Sequence, residues 1–213
     1  MRVRWITVFV ALAGCGFRVT LASDAAVGSD TIVDDAVDAD QPIDATIDEP
    51  VVASCPTSYI ALGNLSSRYF LRTNGSTIRT HHLGCVADGA HLAVIDTASE
   101  AAVVRQLVDG TTGLPTSSYG PFVFAGSAQR PNQTMTTTGW ISATGAFTSQ
   151  PFWQNGEPND LPGGEDGGEQ FIAIWRDHDL LVDIAGNGSF AALCECDGAP
   201  ITEDYEALMA VAP

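Results

Sequence analysis

The sequence predicts an α+β domain, and three observations carry that prediction. Two stretches, Ser76 to Val86 and the one running up to Gly110, place apolar residues at helical spacing. Short apolar runs of strand length lie on either side of them. Residues 111–168 are rich in Gly, Thr, Ser, Pro and Asn, with only brief apolar stretches, and a loop region that long inside a compact domain needs a reason.

The elements follow in order. Arg2 and Arg4 precede the apolar run Trp5 to Ala13, which is too short to span a bilayer as a helix. The run ends in Leu12-Ala13-Gly14-Cys15, which resembles the lipobox of bacterial lipoproteins. That resemblance implies a signal peptide over 1–14 and lipidation of Cys15. The product would be exported and anchored by lipid alone to a bacterial membrane, at the cell surface or in the periplasm. Residues 16–54 hold nine acids and one Arg, with no aromatic after Phe17. A like-charged stretch of this kind cannot bury enough surface to fold, so 15–54 is expected to be a disordered tether.

Composition changes at Cys55. Val51-Val52, Ser58 to Leu62 and Tyr69 to Leu71 read as short strands. Ile78, His82 and Cys85 mark the first helix, which Gly89 ends. His91 to Ile95 is a mostly apolar strand. Asp96 or Thr97 caps the second helix, where Ala101, Val104, Leu107 and Val108 share a face, and Gly110 stops it. Phe122 to Phe124 and Trp140-Ile141 are apolar stretches in the loop region. Phe171 to Trp175 and Leu180 to Ile184 read as strands around a tight turn, and Ala191 to Cys194 as a last strand. The acidic tail 198–213 is expected to carry no structure.

The chain has 213 residues, 26 acids and 9 bases, every base an Arg, for a net charge of −17. Nucleic acid and anionic lipid are excluded as partners, because both need clustered Lys or Arg. Cations are not. The segment 152–171 concentrates the point: it carries Glu157, Asp160, Glu165, Asp166 and Glu169 and no base. Hard divalent cations such as Ca2+ are held by six to eight oxygens from carboxylates, side-chain amides and carbonyls. Glu157, Asn159 and Glu165 or Glu169 supply such oxygens within one loop, and Asp183 adds one from a neighbouring strand. A cis bond before Pro158 would let Glu157 and Asn159 point the same way. A solvated acidic loop is the plainer alternative.

These residues resemble the C-type lectin-like family over about 55–197. The resemblance rests on Cys55-Pro56 with Tyr59, on Gly89 to Ile95 followed by Ser99-Glu100, and on Phe124-Ala125-Gly126. It rests further on Trp153-Gln154-Asn155-Gly156-Glu157-Pro158-Asn159 and on Ala192-Leu193-Cys194-Glu195. It implies two helices, short antiparallel strands, a long loop region and adjacent termini. It also implies pairing of Cys85 with Cys194 and of Cys55 with Cys196, where the four cysteines alone allow three pairings. A zinc site is the alternative for them, but their spacing matches no common zinc pattern.

In sugar-binding members a loop-bound Ca2+ coordinates two vicinal sugar hydroxyls. The resemblance therefore assigns metal ligation to Glu157, Asn159, Glu165 or Glu169, and Asp183, and sugar contact to Glu157, Asn159 and Asp183. The Glu-Pro-Asn form goes with mannose, glucose, N-acetylglucosamine or fucose. Two departures stand out. Val182 replaces an Asn that ligates the metal, and Phe171 and Gly186 replace the cysteine pair that braces the loop. The first weakens the case for sugar and favours the alternative, a protein-binding or structural domain of the same fold without sugar or metal. Trp140, Trp153 and Trp175 are expected to pack rather than stack on sugar. His81, His82, His91 and His178 are expected to be core or surface residues. No catalytic centre is expected: there is no nucleophile motif, and a polar loop offers no burial to raise one carboxyl above another.

Overall fold

The computed structural model describes residues 54–118, 120–133, 135–145, 152–161, 168–178 and 181–213. The expected signal peptide and lipidation site Cys15, all but Ser54 of the expected tether, Val51-Val52 and Glu165 lie outside them. Among the described residues no helix is long and apolar enough to cross a membrane.

The sheet is organised around its last strand. Strand β1 (Ile60–Ala61) pairs with β2 (Arg68–Ser76), and β2 pairs antiparallel with β9 (Phe190–Cys196). Across β9 lie the short β3 (His91–Leu92) and β5 (Gly120–Gln129). β5 carries β4 (Thr116–Ser117), β6 (Trp140–Ser142) and β7 (Phe171–Trp175), and β8 (Leu181–Ile184) pairs on β7. The named strands pair antiparallel, as expected of the short strands, with one addition: β5 runs parallel to β9, with Val123 opposite Ala191 and Phe124 opposite Ala192. Part of the loop-like stretch 111–168 is therefore sheet interior. Gly126 is required there, since a Cβ would stand 2.0 Å from the Leu92 carbonyl oxygen.

The helices form where side chains cap their free N–H groups. α1 (Ile78–Ala87) is capped by the Thr77 hydroxyl, and Gly89 follows it at φ +70°. α2 (Ala98–Gly110) is capped by Thr97, and it buries Val104 and Val108 as its spacing predicts. It also buries Glu100. Tyr69 donates its hydroxyl to Glu100 at 2.7 Å and to Glu195 of β9 at 3.3 Å. The Asp96 and Val94 N–H groups donate to the same two carboxyls. Burial, then the neighbouring Glu195 charge, pushes the Glu100 carboxyl up to about 7. Burial raises Glu195 as well.

The tail is a correction. Glu203–Val211 is a third helix, α3, capped by Thr202. Tyr205 and Met209 are almost fully buried in the main core. Tyr205 meets the ring of His82 on α1 edge-on, with centroids 5.7 Å apart, and His82 Nε2 bonds Glu206 at 3.1 Å. Arg130 pairs with Asp204. The acids in the first turn, Glu203, Asp204 and Glu206, face the positive end of the helix dipole, which is where acids stabilise a helix.

Both disulfides join the expected partners: Cys55 to Cys196 with Cα atoms 5.8 Å apart, and Cys85 to Cys194 at 5.6 Å. His81, His82 and His91 are buried, as expected of core histidines.

Two outcomes follow from this packing. Met209→Ala should cost about 2–5 kcal/mol in urea unfolding, the usual range for emptying a buried Met site; an unstructured tail would give no change. The second concerns pH. Between 4.5, its ordinary value, and about 7, Glu100 holds a proton in the folded state that the unfolded chain has released. Its contribution to stability therefore falls as pH rises through that window. Without metal, the gain in melting temperature from pH 7.5 to pH 5 should be smaller in Glu100→Gln than in the parent, and an unchanged gain would refute the assignment.

Candidate functional site

The acidic loop is docked by its own backbone against the edge strand β8. Leu181 N–H donates to Phe152 O at 2.6 Å, and Gln154 N–H donates to Leu181 O at 2.8 Å. Trp153 packs on Trp140 with ring centroids 5.2 Å apart, a packing role as expected. The Glu157-Pro158 bond is cis. The loop then turns back on β8: Asn159 and Asp160 donate their N–H groups to the two carboxylate oxygens of Asp183, at 3.0 and 2.8 Å.

Asp160 closes the loop from within. It sits at φ +52°, is buried, and accepts N–H bonds from Gly168 and Glu169 at 3.2 and 3.1 Å on one oxygen. Leu161 N–H donates to Asn159 Oδ1 at 3.0 Å and to Glu169 Oε2 at 2.7 Å. The two ends of the acidic segment are thus held together by carboxylates on backbone donors.

Four of the five residues predicted as ligands meet in one place. Glu157, Asn159, Glu169 and Asp183 line a single cavity of about 510 Å3. The fifth, Glu165, is outside the described residues. Val182 lines the same cavity and is buried in the core at the position where the resemblance expects Asn. The missing cysteine brace is replaced by packing. The Phe171 ring lies over Gly186 so closely that a Cβ on Gly186 would stand 2.4 Å from it.

The carboxyls crowd one another. Burial, a hydrogen bond to Asp183 and the charges of Asp183 and Glu169 push Glu157 up to about 8. Burial and the charges of Asp183 and Asp160 push Glu169 up to about 7, against the lowering effect of the Leu161 N–H. The expectation that a polar loop gives no means of raising a carboxyl is therefore wrong, because the loop lies on the sheet and Glu157 and Glu169 are partly buried there.

Two carboxylate oxygens, Glu157 Oε2 and Asp160 Oδ2, are buried without a donor among the described residues. Orphaned buried oxygens beside like charges fit a hard divalent cation by donor chemistry. The side chains do not already converge on an ion: among the described residues, no three His, Cys, Asp or Glu stand at ligand geometry. Asp183 in particular spends a bond from each oxygen on the loop backbone.

Sequence reasoning missed two parts of the site. Asp160 directly follows Asn159, but its positive φ and its burial have no signal in the residue pattern. The cavity's far wall, Phe122, Trp175 and Phe190, comes from three separate strands that only tertiary packing brings together. Trp175 stacks on His178 with centroids 3.6 Å apart.

The crowding has a measurable sign. In chelator at pH 7.5, Glu157→Gln should melt no lower than the parent, and up to a few degrees higher, because it removes the cost of holding on a buried carboxyl a proton that the unfolded chain has released. A clear drop would mean that the carboxylate is already well satisfied by protein donors.

No family model matches the chain, and no curated protein sequence does. Solved structures do. The mouse scavenger receptor C-type lectin carbohydrate-recognition domain is 17% identical, with a TM-score of 0.54 over 67% of this chain and 97% of that one. The cow C-type carbohydrate-recognition domain of CD23, solved in the presence of a GlcNAc2Man3 oligosaccharide, is 15% identical, with a TM-score of 0.51 over 67% and 95%. A calcium-independent type II antifreeze protein is 18% identical, with a TM-score of 0.50 over 67% and 93%. Together with the strand order, the two disulfides and the docked long loop, these likenesses establish that the chain has a C-type lectin-like fold.

Proposed function

We propose that this protein is a calcium-dependent carbohydrate-binding domain for mannose-type hexoses, carried on an acidic tether from a lipid-modified Cys15 at a bacterial cell surface. The observation that carries the reading is the meeting of Glu157, Asn159, Glu169 and Asp183 in one cavity, with crowded carboxyls and orphaned oxygens. Those four residues would hold the ion, which supplies offsetting positive charge and open positions for two sugar hydroxyls. Asn159 brings an amide that both accepts from and donates to a hydroxyl. Two of the similar structures are themselves named carbohydrate-recognition domains.

Binding without catalysis is part of the proposal. Glycoside hydrolysis needs two carboxyls that bracket the scissile bond with substrate between them. Glu157 and Asp183 instead crowd each other in one cluster with Glu169, lining the same cavity.

A second reading has its own observation. Val182 is apolar and in the core where a ligand amide is expected, and Asp183 already serves the loop backbone. Those features favour a protein-binding or structural domain of the same fold, and one similar structure is named calcium-independent.

The melting temperature of the full chain across a Ca2+ titration separates the two readings. Ca2+ at about a hundred times its dissociation constant should add about 2.7 kcal/mol, and Glu157→Gln should abolish most of that gain. A glycan array should then show mannose-type signals that chelator removes. A flat Ca2+ response together with a blank array would discard the lectin reading in favour of the second.

A further inference from the structure

The cavity beside the acidic loop has two chemically different sides. One is the set of oxygens just described. The other is an apolar wall from the ends of four strands. Phe122 of β5 meets Trp175 of β7 at 5.6 Å and Phe190 of β9 at 5.3 Å, ring centre to ring centre. Val182 and Ile184 of β8 continue this wall up to Asp183. Leu161, at the edge of the acidic loop, also lines the cavity and is 62% exposed, so its side chain is free to meet a ligand there.

At about 510 Å3 the cavity is in the size range that takes a ligand of several linked groups. A ligand made of hydroxyls throughout would leave many of them against this wall without partners, and each unpaired polar group is costly. Among the described residues, the polar side-chain groups lining the cavity beyond the oxygen set are Ser117, Ser118, Asn187 and the Trp175 indole N–H.

We infer that the ligand is a sugar bearing an apolar substituent, an alkyl or acyl chain attached to the hexose. The hexose hydroxyls engage Glu157, Asn159 and Glu169. The chain runs along Val182, Ile184, Phe190 and Trp175, with Leu161 closing over it. Val182 then has a positive role: the valine extends the apolar surface to the edge of the oxygen set, where an asparagine would interrupt it. This inference rests on the sugar-binding reading above and specifies its substrate class.

The test is calorimetry on the full chain in excess Ca2+. Four probes are used: methyl α-mannoside, octyl α-mannoside below its micellar concentration, a dimannoside, and an octyl polyoxyethylene ether without sugar. The octyl mannoside should bind at least about tenfold tighter than the methyl mannoside, which is what burying roughly two methylene groups provides. Val182→Asn should shrink that ratio towards one. Leu161→Ser, at an exposed position where folding is not at stake, should reduce it. Equal affinity for the methyl and octyl mannosides would overturn the inference and leave the sugar reading standing. So would a gain for the dimannoside as large as that for the octyl chain, which would assign the wall to a second sugar. Octyl ether binding as tightly as octyl mannoside would also overturn it, since the sugar would be dispensable. Failure of every mannoside would instead bring down the sugar reading itself.

Discussion

Strand β9 is the constraint on which the rest of the structure depends. It pairs with β2 along one edge and with β3 and β5 along the other. Side chains on a strand alternate between faces, and here the alternation divides two cores. Ala192, Cys194 and Cys196 enter one, with α1 and α3, while Ala191 and Leu193 enter the other, with α2. A slip of one residue would exchange the two sets and pull both disulfides out of reach. The buried Glu195 adds a polar lock, tying β9 through Tyr69 to Glu100 on α2.

The site follows from that frame by way of β5, β7 and β8. Asp183 lies on the edge strand, and its carboxylate takes hold of the loop through two backbone N–H groups. Asp160 does the same for the far end of the loop. The negative charges brought together in this way hold the loop in place as well as forming the candidate site. Asp183, Asp160 and Glu169 each position backbone, and the crowding raises the proton affinity of Glu157 and Glu169. A site of this kind is responsive by construction: whatever neutralises the charges, whether a proton or a cation, also acts on the groups that shape the loop.

Much of this was legible in the residues, and the failures have physical causes. Thr97 followed by Glu100 and apolar residues at helical spacing specified α2, because capping and amphipathicity are local. The helix α3 was hidden by its acids. Glu203, Asp204 and Glu206 read as a continuation of the chain's negative excess, although acids after a capping Thr202 belong in a first helical turn, and Tyr205, Leu208 and Met209 repeat at helical spacing. The parallel pairing of β5 with β9 joins segments far apart in sequence, and no local pattern encodes it. In the site, Glu157, Asn159, Glu169 and Asp183 were found from donor chemistry and family resemblance. The aromatic wall was not, because Phe122, Trp175 and Phe190 each look like ordinary strand residues until the sheet brings them together.

The two disulfides are nested: Cys85–Cys194 lies within the span closed by Cys55–Cys196. Both bridges therefore straddle the entire long loop region. A protease that cuts one peptide bond anywhere between Cys85 and Cys194 produces two fragments still joined covalently at two points. The helix α3, which follows Cys196 and packs in the core beside α1, remains attached to the half that carries α1. The long loop can thus be nicked without either half of the domain being lost from the other.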